Sequence, residues 1–252
     1  MIASLEMYDR PEIKAANDRL WSLIADNLKI RGIDAPGHLT RGERAYWDTW
    51  LSPDLLLSQT CGLPFRAKLH DKVALVGTPD YAEEGCPPGY YASVIVVHET
   101  QASLSHSQIA SGTLAFNDPM SQSGWAAVQS FLAQTGTQPR SLLQTGSHAA
   151  SANAVLEGRA DFAAIDAITW RFLSKHEPSL IDLRVIARTE PTPGLPLITA
   201  QGQNADLIFD AVDTAIGELA AEDRAELMLR GLVRIPADAY LALPIPQAPK
   251  GL

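Results

Sequence analysis

Several short stretches of the chain carry side chains suited to holding a small anion. Ser121-Gln122-Ser123-Gly124 puts two hydroxyls and a glycine ahead of a helix, which the spacing of Trp125, Val128, Phe131 and Leu132 predicts to begin near Trp125. Gly146-Ser-His148, with Ser151 further on, opens a second predicted helix that ends at Gly158. The first turn of a helix leaves backbone N–H groups without partners at the positive end of the helix dipole. A small anion fits there, and hydroxyls add donors without adding charge. The bland alternative for Ser121 or Ser123 is an ordinary helix cap. Asp166, at the end of the apolar Phe162-Ala-Ala-Ile165, has three readings: an acceptor for a protonated oxyanion or a ligand amine, a group that orients His148, or a helix N-cap.

The segments that must position these residues alternate between strand and helix. Residues 113–117, 141–145 and 161–167 read as strands with helices between them, the pattern of a parallel sheet. Ahead of them, residues 2–7 read as a short strand ending at Tyr8. Pro11 starts a helix whose apolar face is Ile13, Ala16, Leu20, Ile24 and Leu28, and a short aromatic helix is expected around Glu43–Trp50. Leu55-Leu56-Leu57 is a buried strand that ends in the polar Ser58-Gln59-Thr60-Cys61-Gly62. Strands are also expected at 73–76, 92–98 and 183–187. A Pro-rich return lies at 191–196, and the last part reads as helical, with one helix ending at Gly231. In open α/β sheets ligands lie beyond the carboxyl ends of strands, so the loops Tyr8–Arg10, Ser58–Gly62, Asn117–Gly124 and Thr145–Ser151, with Asp166 close by, form one candidate set.

Bulk composition bounds the function. The chain has 252 residues with a formal net charge of −9, and 46% of them are hydrophobic. That is enough apolar material for one large domain or two α/β lobes, and the acidic balance without a Lys/Arg cluster argues against a nucleic-acid partner. No run approaches the ~20 apolar residues of a membrane span. No metal-ligand cluster is visible, and Cys61 and Cys86 lack the spacing of a metal site. No cofactor is expected.

The chain resembles the substrate-binding proteins of phosphate/phosphonate ABC importers, the phosphonate-binding-protein-like family with the type II periplasmic-binding-protein fold. The residues that carry the resemblance are Ser121-Gln-Ser-Gly124 after Phe116-Asn-Asp-Pro119, Gly146-Ser-His148 with Ser151, and Ala160-Asp-Phe-Ala-Ala-Ile-Asp166. It covers about residues 90–190 well and the first lobe more loosely. The resemblance implies two α/β lobes with mixed sheets joined by a two-crossing hinge, lobe 1 at 1–93 and 194–252 and an inserted lobe 2 at 94–193. It implies a phosphonate, phosphate or similar oxyanion in the interlobe cleft, held by Ser121, Gln122, Ser123, Gly124, His148, Ser151 and Asp166, with Tyr8, Gln59 and Thr60 from the first lobe. An ABC permease is the implied partner, with a sensor that passes ligand occupancy to another protein as a further reading, and the protein is expected to be a monomer or weak dimer. The sequence starts without a basic and apolar leader, so the expectation is periplasmic if a leader has been removed and cytoplasmic otherwise. The alternative is a cytoplasmic enzyme on the same fold, with His148 and Asp166 as acid and base or Ser123 and His148 as nucleophile and base.

Overall fold

A computed structural model describes residues 1–42 and 46–249. The chain divides into two compact units, one of residues 1–90 and 193–243 and the other of residues 91–192 and 244–252. It passes between them after Tyr90 and after Thr192, and a third time after Leu243, where the sequence expectation kept the tail with the first lobe. The tail is tied within the second unit, where Trp125 Nε1 donates to Gln247 O at 2.9 Å.

The first unit is built on a five-stranded mixed sheet, in the order Ile2–Ser4, Leu55–Gln59, Leu197–Ala200, Val73–Asp80 and Gly231–Val233. The first two run parallel, and Leu197–Ala200 lies antiparallel between Leu55–Gln59 and Val73–Asp80. Leu55, Leu56 and Leu57 are fully buried, as a continuous apolar run in a strand covered on both faces requires. The helix Lys14–Ile30 buries Ala16, Leu20, Ile24 and Leu28, and the helix Ala205–Glu218 packs beside it. Arg31 joins their ends, its guanidinium donating to Asn27 O, Asp210 O and Thr214 Oγ1. The aromatic helix runs over Tyr46–Trp50, and the remaining expected positions 43–45 lie outside the described residues. The expected helix up to Gly231 is corrected. It ends at Glu226, and Gly231–Val233 is instead an edge strand on Val73–Asp80.

Where the chain leaves and re-enters this unit, Gly194 N donates to Gly89 O at 2.8 Å, and Tyr240 OH joins Thr78 Oγ1 at 2.6 Å and Gly194 O at 3.0 Å. A β-carbon at Gly194 would stand 2.6 Å from Gly89 O, so only glycine allows this close pass.

The second unit has its own five-stranded sheet, ordered Ser141–Gln144, Thr113–Phe116, Phe162–Asp166, Ser93–His98 and Leu183–Arg188. Thr113–Phe116 is parallel to both its neighbours, while Ser93–His98 runs antiparallel to both of its own. Alternation along Ser93–His98 feeds two cores. Val94 and Val96 pack on one face with Ala152, Val155 and Leu173; Ile95 and Val97 pack on the other with Phe116, Phe131, Leu132 and Phe162. Each fully buried large side chain in these layers contributes about 1.5–3 kcal/mol. The carboxyl ends of Thr113–Phe116, Ser141–Gln144 and Phe162–Asp166 deliver the three candidate loops. No described helix is long and apolar enough to cross a membrane.

Candidate functional site

The 121–124 loop does not lead into a helix near Trp125 as expected. The helix begins at once. Ser121 is its N-cap, with Oγ accepting from Gly124 N at 2.9 Å, and Gln122–Ala126 forms a π-helical turn before the α-helix Val128–Thr135. Ala126 N donates to Ser121 O at 3.0 Å and Ala127 N to Gln122 O at 2.7 Å, so the turn is one residue wider than an α-turn. The Ser123 N–H comes before the first of these bonds and faces the open end of the helix. Ser121, Gln122 and Ser123 are all buried.

The 145–151 loop meets this turn. His148 is the first residue of the helix His148–Leu156, capped by Ser147, and its Nε2 lies 2.7 Å from Ser123 Oγ. Ser121 Oγ is 3.4 Å from Ser123 Oγ, so two hydroxyls and an imidazole form one short chain. Ser93 Oγ donates to Ser123 O at 3.1 Å and fixes the turn from the neighbouring strand. Thr145 holds the second loop in shape, its Oγ1 meeting Phe116 O at 3.1 Å and Ser151 Oγ at 2.7 Å. Ser151 is fully buried, and its hydroxyl is used in that latch.

Asp166 caps the helix Ala167–His176, its Oδ1 accepting from Thr169 N at 2.8 Å. It does not orient His148. That expectation is corrected, because His148 Nε2 is on Ser123 and Nδ1 is buried with no hydrogen-bond partner among the described residues. Burial takes the imidazole down from the usual 6.5 to about 4, so it is neutral at physiological pH.

This shift carries a sign. The unfolded chain binds more protons than the folded one between about pH 4 and 6.5, so the stability contributed by neutral His148 is complete above pH 6.5 and is lost as the pH falls toward 4. The loss is on the order of 3 kcal/mol. His148→Gln is expected to flatten that limb in urea melts run at a series of pH values. An equally steep limb in the variant would assign it to another group.

In the first unit, Tyr8 is buried with its ring edge-on to Tyr81 at 5.0 Å. Gln59 Nε2 donates to Leu195 O at 3.2 Å, so its amide already braces the return segment. Thr60 is fully buried and its Oγ1 has no hydrogen-bond partner among the described residues. Within the second unit, Ser121, Ser123, Gly124 and His148 come together directly, Ser151 supports the adjoining loop, and Asp166 is a helix cap. Sequence reasoning missed Ser93, and it placed Asn117 and Thr145 in the candidate loops without giving either a role in shaping them.

With that geometry in place, comparison with known proteins decides the family. The family described as the periplasmic substrate-binding protein of the phosphonate ABC transporter matches residues 57–237. The chain belongs to that family. No curated protein matches it. Among solved structures it is similar to a Xanthomonas citri protein bound to chloride ion, at 14% identity and TM-score 0.70, over 96% of this chain and 98% of that one. It is also similar to PhnD1 from Prochlorococcus marinus in complex with methylphosphonate, at 16% identity and TM-score 0.68, over 90% of each chain. A third is a binding protein component of an ABC phosphonate transporter from Pseudomonas aeruginosa, at 16% identity and TM-score 0.62, over 90% of this chain and 80% of that one. These likenesses establish the type II periplasmic-binding-protein fold with its two α/β lobes and mixed sheets. Among the described residues, no group of His, Cys, Asp and Glu is placed to hold a metal ion.

Proposed function

We propose that this member of the phosphonate-transporter family takes a phosphorus oxyanion, a phosphonate or phosphate, on the Ser121–Gly124 turn and works with an ABC permease in the periplasm. The observation that carries the reading is the 2.7 Å pair of Ser123 Oγ and His148 Nε2, set at the start of two helices. Helix starts supply partial positive charge and unused N–H groups, and the two serines and a neutral imidazole add donors. The family description and the methylphosphonate held by the Prochlorococcus relative supply the chemical class. Gln122 and Gly124 belong to the proposed contact set through the turn itself. Ser151 and Asp166 enter as residues that hold the adjoining loop and strand end. In the first unit, the proposal puts Thr60, with its unpartnered buried hydroxyl, ahead of Tyr8 and Gln59 as a ligand-contacting residue.

The Ser123–His148 pair does not favour an enzyme. A general base for a serine needs its second ring nitrogen oriented by a third group, and Nδ1 has none among the described residues. An imidazole held neutral down to about pH 4 is also a poor proton acceptor.

The test is calorimetry and thermal shift on protein stripped of ligand by unfolding and refolding, with phosphate, methylphosphonate, simple carboxylates and simple sulfonates. A phosphorus oxyanion is expected to bind, and at 100 times its Kd to stabilise the protein by about 2.7 kcal/mol, roughly 5–10 °C in Tm. A response to carboxylates with none to any phosphorus oxyanion would reject the reading.

A further inference from the structure

Asn117 follows the strand Thr113–Phe116, and its main-chain O accepts from Gly146 N at 3.0 Å, which joins its loop to the one that carries His148. Its Oδ1 is buried and has no hydrogen-bond partner among the described residues. That oxygen fills the space that a side chain at position 124 would take. A β-carbon on Gly124 would stand 2.0 Å from Asn117 Oδ1 and 3.3 Å from Ser121 Oγ. A buried acceptor without a donor is costly and marks a place where something is missing. An amide oxygen accepts and never donates. A fully deprotonated oxyanion brings only acceptors, so it leaves Oδ1 unsatisfied. A singly protonated one brings the missing hydrogen.

Resting on the phosphorus-oxyanion reading above, we propose that Asn117 Oδ1 accepts the P–OH of a singly protonated ligand, so that the site selects the monoanion of a phosphonate and rejects a sulfonate. The two ions share tetrahedral shape and a single negative charge; only the phosphonate carries a proton. The hydrogen-bond partners of Ser121, Ser123, Gly124 and His148 are all neutral, which also suits one negative charge better than two. No proton leaves the ligand in this scheme. The titratable groups on the segments around Asn117 are Asp118 on its own loop, His148 on the 145–151 loop and Asp166 at the neighbouring strand end. Asp118 Oδ1 accepts from Met120 N at 2.7 Å, and Asp166 caps its helix.

The experiment is calorimetry on the full chain with methylphosphonate and methanesulfonate at pH 5.5, 6.5, 7.5 and 8.5, repeated with Asn117→Ala. At pH 5.5 methylphosphonate is expected to bind at least ~100-fold more tightly than methanesulfonate, because a buried acceptor left unpaired penalises the analogue that lacks the hydrogen. Its affinity is expected to fall about tenfold per pH unit once the second ligand proton is lost. Methanesulfonate has no proton to lose in this range, so any titration of the protein's own groups appears in its curve and can be subtracted. In Asn117→Ala the ratio of the two affinities is expected to drop at least ~tenfold. A purely structural role for Asn117 would weaken both ligands in parallel and leave the ratio unchanged. Equal affinities in the wild type, a phosphonate affinity that is flat or rising from pH 6.5 to 8.5, or an unchanged ratio in the variant would each overturn the proposal while leaving phosphonate binding intact. Absence of binding by methylphosphonate at every pH would instead remove the functional reading on which it stands.

Discussion

Gly124→Ala is expected to weaken methylphosphonate binding at least ~tenfold and to destabilise the fold by about 1–3 kcal/mol. The new methyl would stand 2.0 Å from Asn117 Oδ1, a buried atom, and 3.1 Å from its Cγ. Asn117 can yield only by turning its amide about χ1 and χ2, because the strand ahead of it and the Gly146 N–Asn117 O bond fix its backbone. Moving the glycine instead breaks the Ser121 Oγ–Gly124 N cap. The first response takes Oδ1 away from the turn; the second changes the shape of the turn that precedes Val128–Thr135, and with it the spacing from Ser123 to His148. Urea melts and calorimetry on the same preparation read the two effects. A variant with wild-type affinity and stability would show that the Asn117 amide turns aside without cost to the fold or to binding. Gly146→Ala makes a useful contrast, because no atom stands within 4 Å of its β-carbon position. Its cost is expected to come from a φ of +88° rather than from collision.

The second large effect separates two serines that look equivalent in the sequence. Ser121 Oγ is spent on Gly124 N, as an N-cap. Ser123 Oγ links His148 Nε2 at 2.7 Å to Ser121 Oγ at 3.4 Å. Ser123→Ala leaves a part-buried imidazole whose Nε2 loses its partner when the buried Nδ1 already has none, a penalty of about 1–3 kcal/mol. It also removes a hydroxyl from the proposed contact set, and methylphosphonate affinity is expected to fall ~10–100-fold. Ser121→Ala is expected to cost about 1 kcal/mol of stability through the lost cap, with a smaller effect on affinity. The ordering of affinities is the readout. If Ser121→Ala hurts binding more than Ser123→Ala does, the roles given to the two hydroxyls are reversed.

The strands were readable where apolar runs are long and bounded by turn residues. Leu55-Leu56-Leu57 and Phe162-Ala-Ala-Ile165 lie in strands, being apolar runs too short for a core helix and bounded by turn residues. Gly231–Val233 was not readable. It is a three-residue edge strand that follows Met228 at a φ of +53°, and only pairing with Val73–Asp80 makes it a strand. The π-helical turn at Gln122–Ala126 was equally hidden, since a shift of one residue in hydrogen bonding leaves the apolar spacing of the following helix intact. Hydroxyl-rich loops at strand ends marked segments that the fold brings together, but residue type does not say which hydroxyl is already used. Ser151 is occupied by Thr145 and Gln59 by Leu195 O, whereas Ser123 meets His148. Asn117 was the hardest to find. Its significance depends on a missing β-carbon seven residues later, a relation that only the folded loop reveals.

A phosphorus oxyanion held on the turn at Ser121–Gly124 would change the surroundings of the amides that bind it. Backbone amide NMR of the isotope-labelled chain titrated with methylphosphonate tests this placement most directly. The largest shifts are expected on the amides of Gln122, Ser123, Gly124 and His148, saturating with the calorimetric Kd. Saturable binding with those resonances unmoved, and the largest shifts elsewhere in the chain, would contradict it.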